Sequence, residues 1–137
     1  MNILVVDGQG GGIGRQLVEN IKRTFPSLEI TAVGTNVLAT QAMLKAGADH
    51  AATGENAVIV GCRTADMIAG PVGIVIADSL WGEITPAMAI AISQSRAVRI
   101  LLPMNQCSNW IAGVEEISTG KLIQSSLDKI RRIVDKR

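Results

Sequence analysis

Met1-Asn-Ile-Leu-Val-Val-Asp7-Gly-Gln-Gly-Gly-Gly-Ile-Gly14 is the stretch whose reading decides the fold. Residues 2–6 are apolar without alternation, as in a strand buried on both faces, and a central parallel strand is implied. Glycines follow at 8, 10, 11, 12 and 14, and residues 15–25 read as a helix. In a strand, glycine loop and helix of this kind, the loop amides and the unsatisfied N–H groups of the first helical turn face one spot. The helix dipole adds partial positive charge there, so an anion, most often a phosphate, fits. The loop therefore argues for a nucleotide-type ligand, and it names no reaction.

Working outward, Ile13, Leu17, Ile21 and Phe25 recur at helical spacing, with Arg15, Glu19, Lys22 and Arg23 on other faces and Pro26-Ser27 as the stop. Residues 28–33 read as a second strand ending at Gly34-Thr35-Asn36. Asn36 is then the N-cap of a helix through Ala46, with Gly47 just past its end. A short third strand is expected over 49–52, and Thr53 is expected to cap a brief helix over 55–60. Residues 66–77 are almost wholly apolar but interrupted by Gly70-Pro71-Val72-Gly73, which leaves either a strand and a helix or two strand pieces. Thr85-Pro86 opens a helix over 86–95 that carries Met88, Ile90 and Ile92. A buried strand over 98–104, an edge strand over 110–114 and an amphipathic helix over 122–134 complete the chain.

Strands alternate with helices, and no linker, repeat or low-complexity tract interrupts them. The expected fold is therefore a single α/β domain over 1–137, a Rossmann-like three-layer sandwich with a mostly parallel sheet. In such sheets ligands lie at the carboxyl ends of the strands. Those ends fall at residues 7–8, 34–36, either 70–71 or 78–79, and 105–108.

Composition narrows the partners. At 137 residues with 47% hydrophobic and 18% charged residues, the chain can bury a real core without metal or disulfide staples. The formal net charge is +1 and only 2% of residues are aromatic, so neither a basic stripe nor a stacking platform favours nucleic acid. Cys62 and Cys107 lie far apart in a chain beginning Met-Asn-Ile, which reads as reduced thiols in a cytoplasmic protein. The longest uncharged apolar run, 70–77, is far short of the ~20 residues of a membrane span.

Glycines at i, i+2 and i+5 are not found from Gly8, where the last position is Ile13, nor from Gly10, where it is Arg15. The pattern present is Gly8-x-x-x-Gly12-x-Gly14. After a buried strand, this resembles the cofactor loop of the short-chain dehydrogenase/reductase proteins over roughly the first twenty residues. The resemblance implies that Gly8 allows the tight turn, Gly12 lets a pyrophosphate approach and Gly14 packs helix on strand, with NAD(P) as cofactor. Three features depart from that family. Its catalytic tyrosine has no counterpart, because the chain has no tyrosine. Gly34-Thr35-Asn36 carries neither the acidic residue that binds an NAD ribose nor an arginine for a 2′-phosphate. Asp7 stands at the loop mouth, where it repels phosphate unless it is turned to loop amides, a ribose hydroxyl or Mg²⁺. No Gly-Lys-Ser/Thr follows the loop, so a Walker-type site is out. The plain alternative is a tight turn with no ligand. The chain also resembles a family of short bacterial proteins of about this length with a Rossmann-like core and no assigned activity. That resemblance is carried by 6–14, Ile-Ala-Asp-Ser-Leu at 76–80, Gly-Glu-Ile-Thr-Pro-Ala-Met at 82–88 and Leu-Leu-Pro-Met-Asn at 101–105.

A second polar constellation runs from Asp78 to Pro86. Asp78 and Ser79 follow an apolar run near the expected crevice, and the helix start at Thr85 offers further amides. Asp78 or Glu83 could serve as a base, or Asp78 and Thr85 could simply be caps beside a solvated Glu83. Trp81 suits a subunit interface or a ligand ring. His50 is the only histidine, so no His-based triad or multi-histidine metal site can form, and it reads as a structural or surface residue. Cys107 has no evident base to activate it, and Cys62 reads as a small core residue. The cofactor is thus expected at Asp7, Gly8, Gly10, Gly12, Ile13, Gly14 and Asn36, and substrate at Asp78, Ser79, Thr85 and Asn105, with no metal. The competing expectation is a non-catalytic sensing or interaction module, a homodimer burying Met- and Ala-rich helix surface.

Overall fold

The computed structural model describes residues 1–104 and 108–136. Five strands, β1 (Asn2–Asp7), β2 (Glu29–Gly34), β3 (His50–Thr53), β4 (Met67–Pro71) and β5 (Val98–Leu102), form one sheet in the order β3-β2-β1-β4-β5. Every pairing is parallel. The helices are α1 (Gly12–Thr24), α2 (Val37–Lys45), α3 (Glu55–Thr64), α4 (Pro86–Gln94) and α5 (Thr119–Asp135).

The unbroken apolar run of β1 is explained by its place at the centre of this sheet, since it must face a core on both sides. Ile3 and Val5 join one cluster with Leu17 and Ile21 of α1, Met43 of α2 and Leu127 and Ile130 of α5. Leu4 and Val6 join the other with Val58 of α3 and Met88 and Ile92 of α4. This is the expected three-layer α/β sandwich. Strand order reverses at β1, the switch point at which open parallel sheets form their crevice, and that is where the glycine loop lies.

Local chemistry sets most element ends where the sequence puts them. Asn36 caps α2 by accepting from the Ala39 N–H at 2.9 Å, and Thr85 caps α4 by accepting from the Met88 N–H at 3.2 Å. Other boundaries differ. The helix α1 starts at Gly12 instead of residue 15, because Asp7 below it accepts from the Gly14 N–H and does the work of a cap. Gly54, not Thr53, precedes α3, which runs to Thr64 instead of stopping at residue 60. Val58 and Cys62 give it a buried stripe at i, i+4. Gly61, just past the expected end, lets the helix approach β1 closely: a Cβ there would stand 3.0 Å from Leu4 Cδ1. The apolar stretch 66–77 divides into β4 and a 3₁₀ turn, Val72–Val75. The edge strand expected over 110–114 does not form, and β5 is the sheet edge. Trp110, Ile111 and Val114 are exposed, Gly113 has φ +80°, and Val114 N–H turns back to the Ile111 carbonyl, so this stretch turns where a strand would extend. Among the described residues, no helix is long and apolar enough to cross a membrane.

Candidate functional site

The loop after β1 is built around Asp7. Its carboxylate is buried and accepts from the Gly8 N–H at 2.8 Å and the Gly14 N–H at 2.7 Å. Of the expected alternatives, the side chain is turned to the loop amides. Burial pushes its carboxyl above the ordinary range; the two amide bonds oppose this, and the nearby charge of Glu83 reinforces it. The turn closes with Gly11 N–H on the Gly8 carbonyl at 2.9 Å. Gly11 sits at φ +72°, and a Cβ on it would come 2.8 Å from Ala39 Cα, so both backbone angle and space demand glycine.

The glycines separate into two kinds. A Cβ at Gly8 would stand 2.7 Å from Thr35 Oγ1, and one at Gly14 would meet Met43 Sδ at 2.5 Å and Asp7 Cβ at 2.8 Å. These two are required by packing of the protein on itself. At Gly10 and Gly12 a Cβ would meet nothing within 4 Å. Their space opens on a cavity of about 230 Å³ lined by loop residues 7–13 and Gln16. Among the described residues, the Gly10, Gly12 and Ile13 amides donate to no protein acceptor, whereas those of Gly8, Gln9, Gly11 and Gly14 are all engaged.

The Gln9 amide is taken by a side chain far along the sequence. Glu83 Oε1 accepts from Gln9 N–H at 2.9 Å, Thr35 Oγ1 at 2.5 Å and Asn36 Nδ2 at 2.8 Å. Asn36 Nδ2 also donates to the Gln9 carbonyl at 2.9 Å, which ties the end of β2 to the loop. Burial opposes ionisation of Glu83, but the three donors outweigh it and hold the carboxyl below the usual range. It is a fixed negative charge at neutral pH. The segment that delivers it is unusual: Asp78, Leu80 and Trp81 have φ of 65°, 55° and 59°, and Gly82 follows at 83°. Non-glycine residues adopt this region at a cost, and such clusters occur at functional sites. Leu80 is buried beneath the segment and Asp78 N–H bonds the Ile84 carbonyl at 2.7 Å, which hold the bend in place.

The structure thus brings Asp7, Gly8, Gly10, Gly12, Ile13, Gly14 and Asn36 to one place. The residues expected on the substrate side are used differently. Ser79 is buried and its hydroxyl donates to the Gly73 carbonyl. Thr85 caps α4 and donates to Glu55 Oε1 at 2.6 Å. Asp78 is exposed at the bend, and Asn105 lies outside the described residues, as does Cys107. His50 is exposed against Glu29 at 2.8 Å, at the amino end of the sheet opposite the loop. Burial pushes the Cys62 thiol up to about 11, so it is inert at neutral pH. The sequence alone offers Glu83 as a base or a solvated side chain and points to no role for Thr35. The spatial neighbours of a residue 74 positions from Gln9 are set by the chain's return over β1, and no local signal carries that. Gly11, by contrast, stood in plain view as the one glycine in the run 10–12 left without a part.

No curated protein matches the chain. Among solved structures, it is similar to a dodecameric FMN-dependent Ubix-like decarboxylase from Escherichia coli O157:H7, at 16% identity and a TM-score of 0.49, over 95% of this chain and 94% of that one. A family profile matches residues 2–135, almost the whole length, and the chain belongs to that family, the domain of unknown function DUF3842.

Proposed function

We propose that the protein binds a nucleotide-type ligand, with a dinucleotide of the NAD(P) kind as the best candidate, and that its phosphates rest on the glycine loop. One observation carries this reading: among the described residues the Gly10, Gly12 and Ile13 amides have no protein acceptor, and they line an open cavity in which a Cβ on either glycine would meet nothing within 4 Å. Backbone N–H groups at a helix start are the usual anion cradle. A turn with no ligand would need Gly8, Gly11 and Gly14 for packing, but has no packing use for Gly10 and Gly12. The Asp7 carboxylate is turned to the Gly8 and Gly14 amides, which offsets the repulsion expected at the loop mouth.

Asp78 and Asn105 remain the substrate-side candidates, since the Ser79 and Thr85 hydroxyls are committed within the protein. We further propose that the protein is cytoplasmic and a single domain; the homodimer belongs to the competing reading, a sensing or interaction module, and would use exposed apolar helix surface such as Val37, Leu38 and Leu44 of α2. Whether it is an enzyme is a separate matter, because neither a tyrosine nor a histidine stands at the loop.

Thermal unfolding with NADH, NADPH, ATP and flavins tests the proposal. A ligand that binds only the folded state at 100 times its Kd adds about 2.7 kcal/mol, visible as a rise of several degrees in Tm. Gly12→Leu should fold normally and lose that rise, because its side chain fills the cradle. No stabilisation by any of the four sinks the reading.

A further inference from the structure

Resting on that reading, we infer that Glu83 is the ribose-recognising group of the site: its carboxylate accepts the sugar hydroxyls of the nucleotide whose phosphates lie on the loop. In open α/β sheets that bind NAD, an acidic side chain at the end of the second strand accepts the ribose hydroxyl. Here Gly34-Thr35-Asn36 holds no acid. The place is nonetheless occupied by a carboxylate, because Thr35 and Asn36, the two residues after β2, both donate to Glu83, which arrives from the segment between β4 and α4. The residues that would otherwise carry the acid instead hold one.

Only one carboxylate oxygen is used. Oε1 takes all three donors, and Oε2 accepts from no group among the described residues. A half-buried carboxylate locked by three bonds, one of them to the glycine loop at Gln9, with its second oxygen unbonded among the described residues, is a preorganised acceptor for a vicinal diol. Its neighbours fix its direction as well. Gly8 leaves no room on one side, since a Cβ there would stand 3.1 Å from Oε1. The left-handed run Asp78, Leu80, Trp81, Gly82 spends backbone strain to place it. A 2′-phosphate would set like charge against this oxygen, so the site should prefer ligands with a free 2′-hydroxyl.

Calorimetric titration of the full chain with ADP, 2′,3′-dideoxy-ADP and inorganic pyrophosphate tests this. Wild type should bind ADP about tenfold more tightly than the dideoxy analogue, the worth of a hydrogen bond to a charged group. In Glu83→Gln, which keeps Oε1 as an acceptor for Thr35 and Asn36, that ratio should collapse while pyrophosphate binds at least as well. Glu83→Asp, which keeps the charge but draws it back, should also lose the ratio. Equal wild-type affinity for the two nucleotides overturns the assignment. So does a Glu83→Gln protein that binds ADP and pyrophosphate more tightly with the ratio intact, which would make Glu83 a competitor for the Gln9 amide. Pyrophosphate binding without sugar discrimination sinks the ribose role alone, whereas binding of none of the three sinks the nucleotide reading with it.

Discussion

At the scale of single residues, Asp7 and Glu83 meet at one loop and titrate in opposite senses. The folded state holds Asp7 above its ordinary value of 3.8, chiefly by burial. A raised folded pKa contributes stability that is fully present below the unfolded value and is lost as pH rises through the folded one. Glu83 is held below its ordinary 4.5, because its three donors together outweigh burial. Its contribution is present above 4.5 and is lost as pH falls through the lowered value. Urea unfolding between pH 3 and 7 should therefore separate the two. The stability gap between wild type and Glu83→Gln should be widest near neutrality and close in acid. The gap to Asp7→Asn, about 1–3 kcal/mol for a buried amide left without its acceptor, should be widest in acid and narrow toward neutrality. Gaps with the same slope for both would refute the pairing. Asp7 was legible in the sequence because it follows a buried strand directly and its own loop supplies its partners. The bonds of Glu83 were not, because they depend on which strand top its segment crosses.

Among the elements, the unit of strand, loop and helix shows what a glycine-rich motif specifies and what it leaves open. Gly14 packs α1 against β1 and α2, so Gly14→Ala drives a methyl into Met43 and Asp7 and should cost about 1–3 kcal/mol by thermal or urea unfolding. Gly12→Ala meets open space at the first helical position and should stay within about 0.5 kcal/mol of wild type. If both substitutions cost the same, the division between packing glycines and glycines facing open space is wrong. The start of an element is legible when one side chain creates it, as with Asn36 and Thr85, each of which accepts the amide three residues on. Extent is less legible. The sequence reads α3 as ending at residue 60, yet Gly61 continues it and is the close contact that lets it lie on Leu4. Residues 110–114 carry apolar side chains that suit a strand, but no sheet face covers them, and Gly113 turns the chain.

For the molecule as a whole, the alternation of β1 makes the two cores one object. Ile3 and Val5 serve the α1, α2 and α5 face while Leu4 and Val6 serve the α3 and α4 face, so moving the strand to loosen one face disturbs the other. The parallel class was legible in that continuous apolar run. The order β3-β2-β1-β4-β5 was not, because adjacency depends on packing between residues far apart in the chain. Cys62 reports on the coupling. It lies in α3 at 6% exposure with its thiol raised to about 11, so the folded protein reacts slowly with a thiol reagent and opening of α3 from the sheet speeds the reaction. Ile130, wholly buried in α5, stands on the opposite face. Ile130→Ala should cost about 2–5 kcal/mol. In a Cys107→Ser background, where Cys62 is the remaining thiol, labelling in native buffer should then speed up by about tenfold for each 1.4 kcal/mol lost, provided both faces open together. An unchanged labelling rate in a protein whose urea midpoint has fallen would mean that the layers open separately, and that β1 does not couple them.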